Sequence, residues 1–375
     1  MKNMSCAQCG ARVFFENIRC EACGATLGFL PGERRMGAFH PQPDGTWRRI
    51  NGGTAAWRPC AHYAAGAGVC NWMVPEGDTN PYCTSCRTTQ VLPSLGKPEN
   101  LAYWTRIEQA KRRLFYNLLS VGLPVPSRSE DPAHGVSFQF LEQLETSAKV
   151  LTGHDNGVIT LNIAEADDAR REQMRARMRE PYRTLLGHFR HEIGHYYWDR
   201  LISGTSWLEP FRGLFGDERQ DYSQALRAHY AAPRTDWAQQ FVSAYASAHP
   251  WEDWAECWAH YLHIQAGLET ASAWGLHLDH ALPGAPPVSV QPTEWCDVDL
   301  TQALINQWLP ISQFANAMAR SLGNADNYPF VMPEAVVRKL DFVHRVVVAG
   351  VRRQVPMNFG SAAPAVSEAT ALQGA

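Results

Sequence analysis

The 375-residue sequence predicts an α+β protein in which a small, metal-stapled amino-terminal part precedes a larger, mainly helical part with a small twisted sheet. Three observations predict this architecture. Eight of the ten cysteines lie before residue 90, and helical periodicity begins near Leu101. Two extended stretches, 136–144 and 157–163, precede a long amphipathic segment at 182–201. We expect domains at 1–95 and 96–355 and a small-residue, disordered tail at 356–375.

Composition and charge limit the classes of partner. The chain is 45% hydrophobic, which is enough for a sizeable core, and its net charge is −3. Residues 1–115 carry +6 and the remainder −9. A site of one zinc ion and four thiolates has a net charge of −2. Two such sites would therefore reduce the positive charge of residues 1–115 to about +2. A nucleic-acid partner is therefore not expected.

The sequence also predicts where the protein is found. It contains no apolar run of the about 18 residues that a membrane-spanning helix needs. Its first fifteen residues lack the apolar core of a secretory signal. We expect a cytoplasmic protein with no membrane partner.

The first cysteines form two CxxC pairs, Cys6 with Cys9 and Cys20 with Cys23, separated by ten residues. Each pair lets two thiolates bind one tetrahedral ion, and the intervening residues are long enough for a short hairpin. This spacing predicts a zinc ribbon. A rubredoxin-type iron site uses the same four ligands and stays an alternative, whereas a disulfide framework is disfavoured without a secretory signal.

A second set of four cysteines follows before residue 90. Its members are Cys60, Cys70, Cys83 and Cys86. Only the last two form a CxxC pair, so the spacing is less specific than in the first set. We expect a second four-cysteine zinc site here, with His62 as a substitute ligand if one of the first two cysteines is not used.

The segment 182–201 contains the motif HExxH, formed by His191, Glu192 and His195. On a helix, residues four apart lie on one face, so both imidazoles can bind the same zinc ion. Glu192 then lies beside them as a candidate general base. Gly194 is a poor helix former, and we expect it where another backbone approaches closely. The alternative interpretation is a pair of core histidines on an ordinary helix.

A catalytic zinc ion usually takes three protein ligands, and 249–264 is the segment that offers a third. Glu252 and Glu256 lie four apart on one helical face, in the ExxxE pattern typical of gluzincins. We assign Glu252 as the ligand. We expect Glu256 to accept a ring N–H from one of the histidines. The reverse assignment, or a contribution from Asp253, stays open.

Two further residues are candidates near the metal. We expect residues 236–248 to be helical, which would place Tyr245 about two turns before Glu252 as a hydrogen-bond donor to a developing oxyanion. His260 continues along the same side of the next helix and is a candidate support for the ligands. Its alternative role is that of a core histidine with its hydrogen bonds satisfied.

Several longer stretches carry a family resemblance. They are Cys70-Asn71-Trp72, GHFRHEIGHYYWDRL, FGDERQDYSQAL, SAYASAHPWEDWAECWAHYLHI and SLGNADNYPF. Together with the CxxC pairs, they resemble the bacterial zinc-ribbon-containing, zinc-binding metallopeptidases over nearly all of the chain. The resemblance implies a zincin-like fold of gluzincin type for residues 96–355 and a zinc ribbon before it.

These observations predict a hydrolase, a zinc-dependent protease with one catalytic and one or two structural zinc ions. The substrate would be a peptide or protein, and the zinc-ribbon region would offer a surface to a protein partner. One alternative is a nucleic-acid-associated protease guided by the ribbon. Another is a zinc-stapled interaction module for protein or nucleic acid with little or no hydrolytic activity.

Overall fold

The structure, a computed structural model, describes residues 2–53, 55–66, 68–143, 150–178, 180–279, 284 and 286–353. The tail predicted at 356–375 lies outside these residues. The chain divides into two compact units: unit 1 comprises Met1–Gly153 and Gly157–Met178, and unit 2 comprises His154–Asn156 and Arg179–Ala375. The expected domain limits at 1–95 and 96–355 derive from motif positions and stay predictions.

The first half of the described chain contains most of the strands. They are β1 (Met4–Ser5), β2 (Arg12–Val13), β3 (Thr26–Leu30), β4 (Arg35–Pro41), β5 (Trp47–Arg49), β6 (Ala56–Pro59), β7 (Met73–Pro75), β8 (Thr89–Val91), β9 (Ser137–Leu141), β10 (Gly153–Asp155) and β11 (Val158–Asn162). The helices of this part are α1 (Ala61–Ala64), α2 (Pro98–Ser120) and α3 (Asp168–Met178).

Unit 1 contains an antiparallel meander and a second sheet in which β8, β9 and β11 run parallel. Strands β3 to β7 pair antiparallel in chain order, and β1 pairs with β2. Strand β9 lies between β8 and β11 and is parallel to both. The inward side chains Phe138 and Phe140 on β9, and Ile159 and Leu161 on β11, are fully buried. The two extended stretches predicted from the sequence thus pair with each other, in parallel.

Helix α2 contributes to the aromatic core of unit 1. The Tyr116 ring lies 5.5 Å from that of Phe15, which lies 4.8 Å from Phe29. The Phe29 ring in turn lies 4.8 Å from that of Trp72, which follows Cys70 by two residues. The Arg112 guanidinium donates to the carbonyl of Val69. Helix α2 therefore packs against the segment that carries Cys70. The predicted domain limit between residues 95 and 96 would place this helix and that segment in different domains.

Unit 2 is mainly helical. Its helices are α4 (Leu185–Leu201), α5 (Leu208–Phe215), α6 (Tyr222–Ala231), α7 (Pro250–Ala273), α8 (Leu300–Ala303), α9 (Leu309–Ser321) and α10 (Glu334–Arg353), and its short strands β12 (His277–Leu278) and β13 (Val288–Ser289) pair antiparallel. Helices α4 and α7 pack along each other, with the Tyr197 ring stacked on Trp258 at 4.8 Å. Among the described residues, none of the helices combines the length and the apolar character that a membrane-spanning segment requires. The α+β class predicted from the sequence is confirmed.

One local prediction is corrected. Residues 236–248 are not a continuous helix but contain the 3₁₀ turns Trp237–Gln239 and Tyr245–Ser247. The hydroxyl of Ser243 accepts from the Ala246 N–H, and that of Ser247 donates to the Ala244 carbonyl. Side chains therefore compete with the backbone hydrogen bonds that a continuous helix would need.

Candidate metal centre

Helices α4 and α7 approach closely at Gly194. A Cβ atom at this position would lie 3.1 Å from Ala255 Cα and 3.1 Å from Trp258 Cβ. The indole N–H of Trp254 also donates to the Gly194 carbonyl at 2.8 Å. The glycine in the HExxH motif therefore lies where the backbone of a second helix comes close, as the sequence predicts.

Each of these helices has a defined start. The Thr184 hydroxyl accepts from the Gly187 N–H at 3.0 Å, which caps α4. The Nδ1 atom of His249 accepts from the Trp251 N–H at 3.1 Å, and Pro250 occupies the first turn of α7. These caps fix the helical register, and therefore the side of each helix on which the motif residues lie.

The structure brings His191, His195 and Glu252 together. The two Nε2 atoms lie 3.2 Å apart, and His191 Nε2 lies 3.0 Å from Glu252 Oε2. His195 Nε2 lies 3.7 Å from Glu252 Oε1. One ligand atom from each residue falls within 4.8 Å of those of the others. Three candidate ligand atoms from two helices therefore surround one point.

This geometry fits a zinc ion. With zinc bonds of about 2.05 Å, the ligand atoms of a tetrahedral site lie about 3.3 Å apart, close to the distances between these side chains. The Glu252 side chain is only 1% exposed, and its buried Oε2 atom faces His191 Nε2 at 3.0 Å. Two imidazoles and one carboxylate also form a donor set that zinc favours in catalytic sites.

The protonation states of His195 and Glu252 favour metal binding, whereas that of His191 opposes it. Although burial lowers it, hydrogen bonds to Glu252 and Glu256 raise the pKa of His191 well above its usual value, so a zinc ion must displace a proton there. Burial lowers the pKa of His195 to about 4, so its ring is neutral at pH 7. Although burial raises it, the neighbouring imidazoles of His195 and His191 lower the pKa of Glu252 to about 2, so this carboxylate stays ionised. A neutral imidazole and an ionised carboxylate are the forms in which these side chains bind zinc.

Glu256 is hydrogen-bonded to one of the candidate ligands. Its Oε1 atom lies 2.8 Å from His191 Nδ1, and its Oε2 atom accepts from the Ser243 hydroxyl at 2.6 Å. A carboxylate acceptor makes Nδ1 the protonated ring nitrogen and leaves the Nε2 lone pair directed at the metal position. This is the contact predicted for Glu256.

Tyr222 contacts the candidate ligand Glu252, a role that the sequence does not predict. Its hydroxyl donates to Glu252 Oε1 at 2.6 Å, which orients the buried carboxylate. Tyr222 lies on α6, thirty residues before Glu252. The conspicuous stretch FGDERQDYSQAL contains it, but nothing in the spacing assigns it to the metal centre.

Glu192 is the chain neighbour of a candidate ligand, and Tyr245 packs against the same ligand. Glu192 follows His191 directly on α4 and is 9% exposed. The Tyr245 ring lies 5.9 Å from that of His191, although it is carried by a 3₁₀ turn rather than by the predicted helix. Burial, reinforced by Glu252, raises the pKa of Tyr245 well above its usual value. Its hydroxyl therefore keeps its proton and can donate.

The remaining candidates have other partners. Asp253 pairs with Lys339 at 2.5 Å, so its carboxylate is directed towards that cation. The His260 ring is buried, its Nδ1 atom lies 2.6 Å from the Tyr328 hydroxyl, and it packs against Phe330 at 4.3 Å. The predicted supporting role of His260 stays a prediction.

The two cysteine sets each form a compact cluster. Sγ–Sγ distances are 3.7 Å for Cys6 with Cys23, 3.7 Å for Cys9 with Cys20 and 3.8 Å for Cys70 with Cys83. Cys60 and Cys86 complete the second cluster. Zn–S bonds of about 2.3 Å predict about 3.8 Å between thiolates in a tetrahedral site, whereas a disulfide would require about 2.05 Å. Both clusters therefore fit four-thiolate zinc sites.

His62, the substitute ligand considered above, packs elsewhere. Its ring lies 4.8 Å from that of Tyr82 and 5.0 Å from that of Trp104. With four thiolates already assembled in the second cluster, the geometry gives His62 the role of a packed aromatic side chain.

A fold that combines four-thiolate clusters with an HExxH helix packed on a Glu-bearing helix defines a zinc-binding protein of the metallopeptidase class. Comparison with known families agrees with this. Residues 100–346 match the family described as "Putative zinc-binding metallo-peptidase", and residues 3–97 match a zinc-ribbon domain. The chain belongs to this metallopeptidase family and carries an amino-terminal zinc-ribbon domain.

Close relatives occur in mycobacteria. Proteins of two Mycobacterium tuberculosis strains and of Mycobacterium bovis, each described as an uncharacterized protein, are 44% identical to this chain over 349 residues. The alignment covers 92% of this chain and 95% of each relative. No solved structure matches the chain significantly.

Proposed function

We propose that this chain is a zinc-dependent peptidase in which His191, His195 and Glu252 hold a catalytic zinc ion. The observation that carries the proposal is the convergence of three candidate ligand atoms within 4.8 Å, two of them from the helix that also carries Glu192. A zinc ion held there supplies a Lewis acid that polarises a peptide carbonyl and lowers the pKa of a bound water to about 7.

The side chains around this position have separate tasks. Glu192 accepts a proton from the attacking water and passes it to the leaving amine, as a general base and then a general acid. Tyr245 keeps its proton because it is buried, and it donates a hydrogen bond to the developing oxyanion. Glu256 and Tyr222 hold His191 and Glu252 in the orientations that zinc binding requires.

The cysteine clusters complete the proposal. Each would hold a structural zinc ion, which gives three zinc ions per chain, one catalytic and two structural. Such sites stabilise small segments that cannot bury a large core. The zinc-ribbon region then offers a surface for a protein partner, while the substrate is a peptide or protein.

The Glu192→Gln variant tests the proposal. Glutamine keeps the size of the side chain but cannot accept the proton from water, so hydrolysis of an unfolded protein substrate and of a mixed peptide library should be abolished. The zinc content, measured by mass spectrometry of the purified protein, should stay at the wild-type value. Cleavage at the wild-type rate by this variant would contradict the mechanism.

A further inference from the structure

A buried ion pair lies next to the candidate ligand Glu252. Lys339, on α10, places its ammonium group 2.5 Å from Oδ2 of Asp253, the residue that follows Glu252 on α7. The two side chains are 6% and 0% exposed. Removing two charges from water is unfavourable, and apolar side chains of similar volume often stabilise a fold equally well. Stability alone therefore gives little reason for a charged pair at this position.

The Lys339 ammonium group also binds the segment before α7. It donates to the carbonyl of Gln240 at 2.9 Å and lies 4.2 Å from the centre of the Phe241 ring. An ammonium group has three N–H donors and a compact charge. It can therefore bind a carboxylate, a carbonyl and an aromatic face together, which a neutral aliphatic side chain cannot do.

The segment held in this way carries two groups of the metal centre. Ser243 follows Phe241 closely and donates to Glu256 Oε2 at 2.6 Å, and Glu256 in turn contacts His191. Tyr245 lies two residues further on, in a 3₁₀ turn, and its ring packs against that of His191. One cation thus connects the helix that carries Glu252 to the segment that carries Ser243 and Tyr245.

We propose that Lys339 is a positioning residue, which sets the spacing between residues 240–245 and α7 and thereby holds Glu252 and Glu256 in register with the two histidines. The inference rests on the proposed zinc site at His191, His195 and Glu252. It does not require Lys339 to touch substrate or metal.

The experiment compares Lys339→Met with the double variant Lys339→Met/Asp253→Asn. The single variant leaves a buried carboxylate without its cation and should be destabilised. The double variant removes both charges while keeping the shape of the Asp253 side chain, and its melting temperature should return towards the wild-type value. The readout is the dissociation constant for zinc at the histidine site, measured by competition with a chelator that leaves thiolate-bound zinc in place.

If Lys339 positions the segment, the double variant binds zinc at the histidine site at least about tenfold more weakly than wild type despite its recovered stability, the size of effect seen when groups that orient metal ligands are lost. Recovery of wild-type zinc affinity together with stability would overturn the inference. A wild-type chain that binds no zinc at this site would instead overturn the proposed function.

The chain offers a matched control. Lys111 and Glu108, in unit 1, form another fully buried pair at 3.0 Å, with both side chains 0% exposed. The double variant Lys111→Met/Glu108→Gln makes the same chemical change in the other unit. It should leave zinc affinity at the histidine site unchanged. An equal loss of affinity in this control would mean that the effect does not depend on the contacts of Lys339.

Discussion

Replacing Gly194 by alanine tests how closely the two candidate ligand helices must pack. The added Cβ would lie 3.1 Å from Ala255 Cα and from Trp258 Cβ and Cγ, so these neighbours must move by a few tenths of an ångström. Overpacking of this kind costs about 1–3 kcal/mol, whereas the better helix propensity of alanine contributes about 1 kcal/mol. We expect a net destabilisation of about 0–2 kcal/mol, measured by thermal or urea unfolding.

The larger effect should be on zinc. Gly194 lies between His191 and His195 on the face of α4 that contacts α7, whereas Glu252 is on α7. Zinc–ligand distances tolerate only about 0.2 Å, so separation of the helices by a few tenths of an ångström should weaken zinc binding at the histidine site. We expect a loss of about 10–100-fold, measured by chelator competition.

Two other glycines give controls for the Gly194 variant. A Cβ at Gly213, on α5, would meet nothing within 4 Å, so Gly213→Ala should gain about 1 kcal/mol and keep its zinc affinity. A Cβ at Gly267 would lie 2.3 Å from Trp308, so Gly267→Ala should be destabilised. Because position 267 lies about 22 Å along α7 from Glu252, this variant should bind zinc normally. Wild-type zinc affinity in Gly194→Ala would show that the helix spacing at this glycine does not control the metal site.

Three further variants test separate parts of the account. Tyr222→Phe removes a 2.6 Å hydrogen bond to Glu252, so zinc at the histidine site should bind about 10–100-fold more weakly in chelator competition; unchanged affinity would exclude the orienting role. Tyr245→Phe should lower kcat about 10²–10³-fold with KM and zinc content nearly unchanged, and a rise in KM alone would point to substrate binding instead. Cys83→Ser should lose one zinc ion per chain and destabilise unit 1, whereas Cys296→Ser, which alters a cysteine outside both clusters, should keep the wild-type metal content.

The sequence was most informative where chemistry and helical periodicity coincide. The HExxH motif and the ExxxE pair specify both the residue types and the face of each helix, so the approach of Glu252 to the two histidines could be expected. Gly194 was also interpretable, because a glycine inside a helix is unfavourable unless something packs close to it. The cysteines were interpretable because they fall into two groups of four before residue 90, and four thiolates are the ligand set of a structural zinc site.

The remaining features depend on contacts between residues distant in sequence. The meander of β3 to β7 lies in a segment whose glycines and prolines obscure alternation, and its strands form by pairing with each other. Residues 236–248 have helical composition, but side-chain hydrogen bonds from Ser243 and Ser247 favour turns. Tyr222 reaches Glu252, and Lys339 reaches Asp253, from other helices, and no local pattern indicates such contacts.

Counting the zinc ions bound per chain shows whether His191, His195 and Glu252 hold a metal ion. The wild-type protein and a His191→Ala variant would be purified in parallel, and their metal content measured by mass spectrometry with protein concentration from amino-acid analysis. We expect three zinc ions in the wild type and two in the variant, because only the histidine site loses a ligand. The same zinc content in both proteins would contradict a zinc site built from His191, His195 and Glu252.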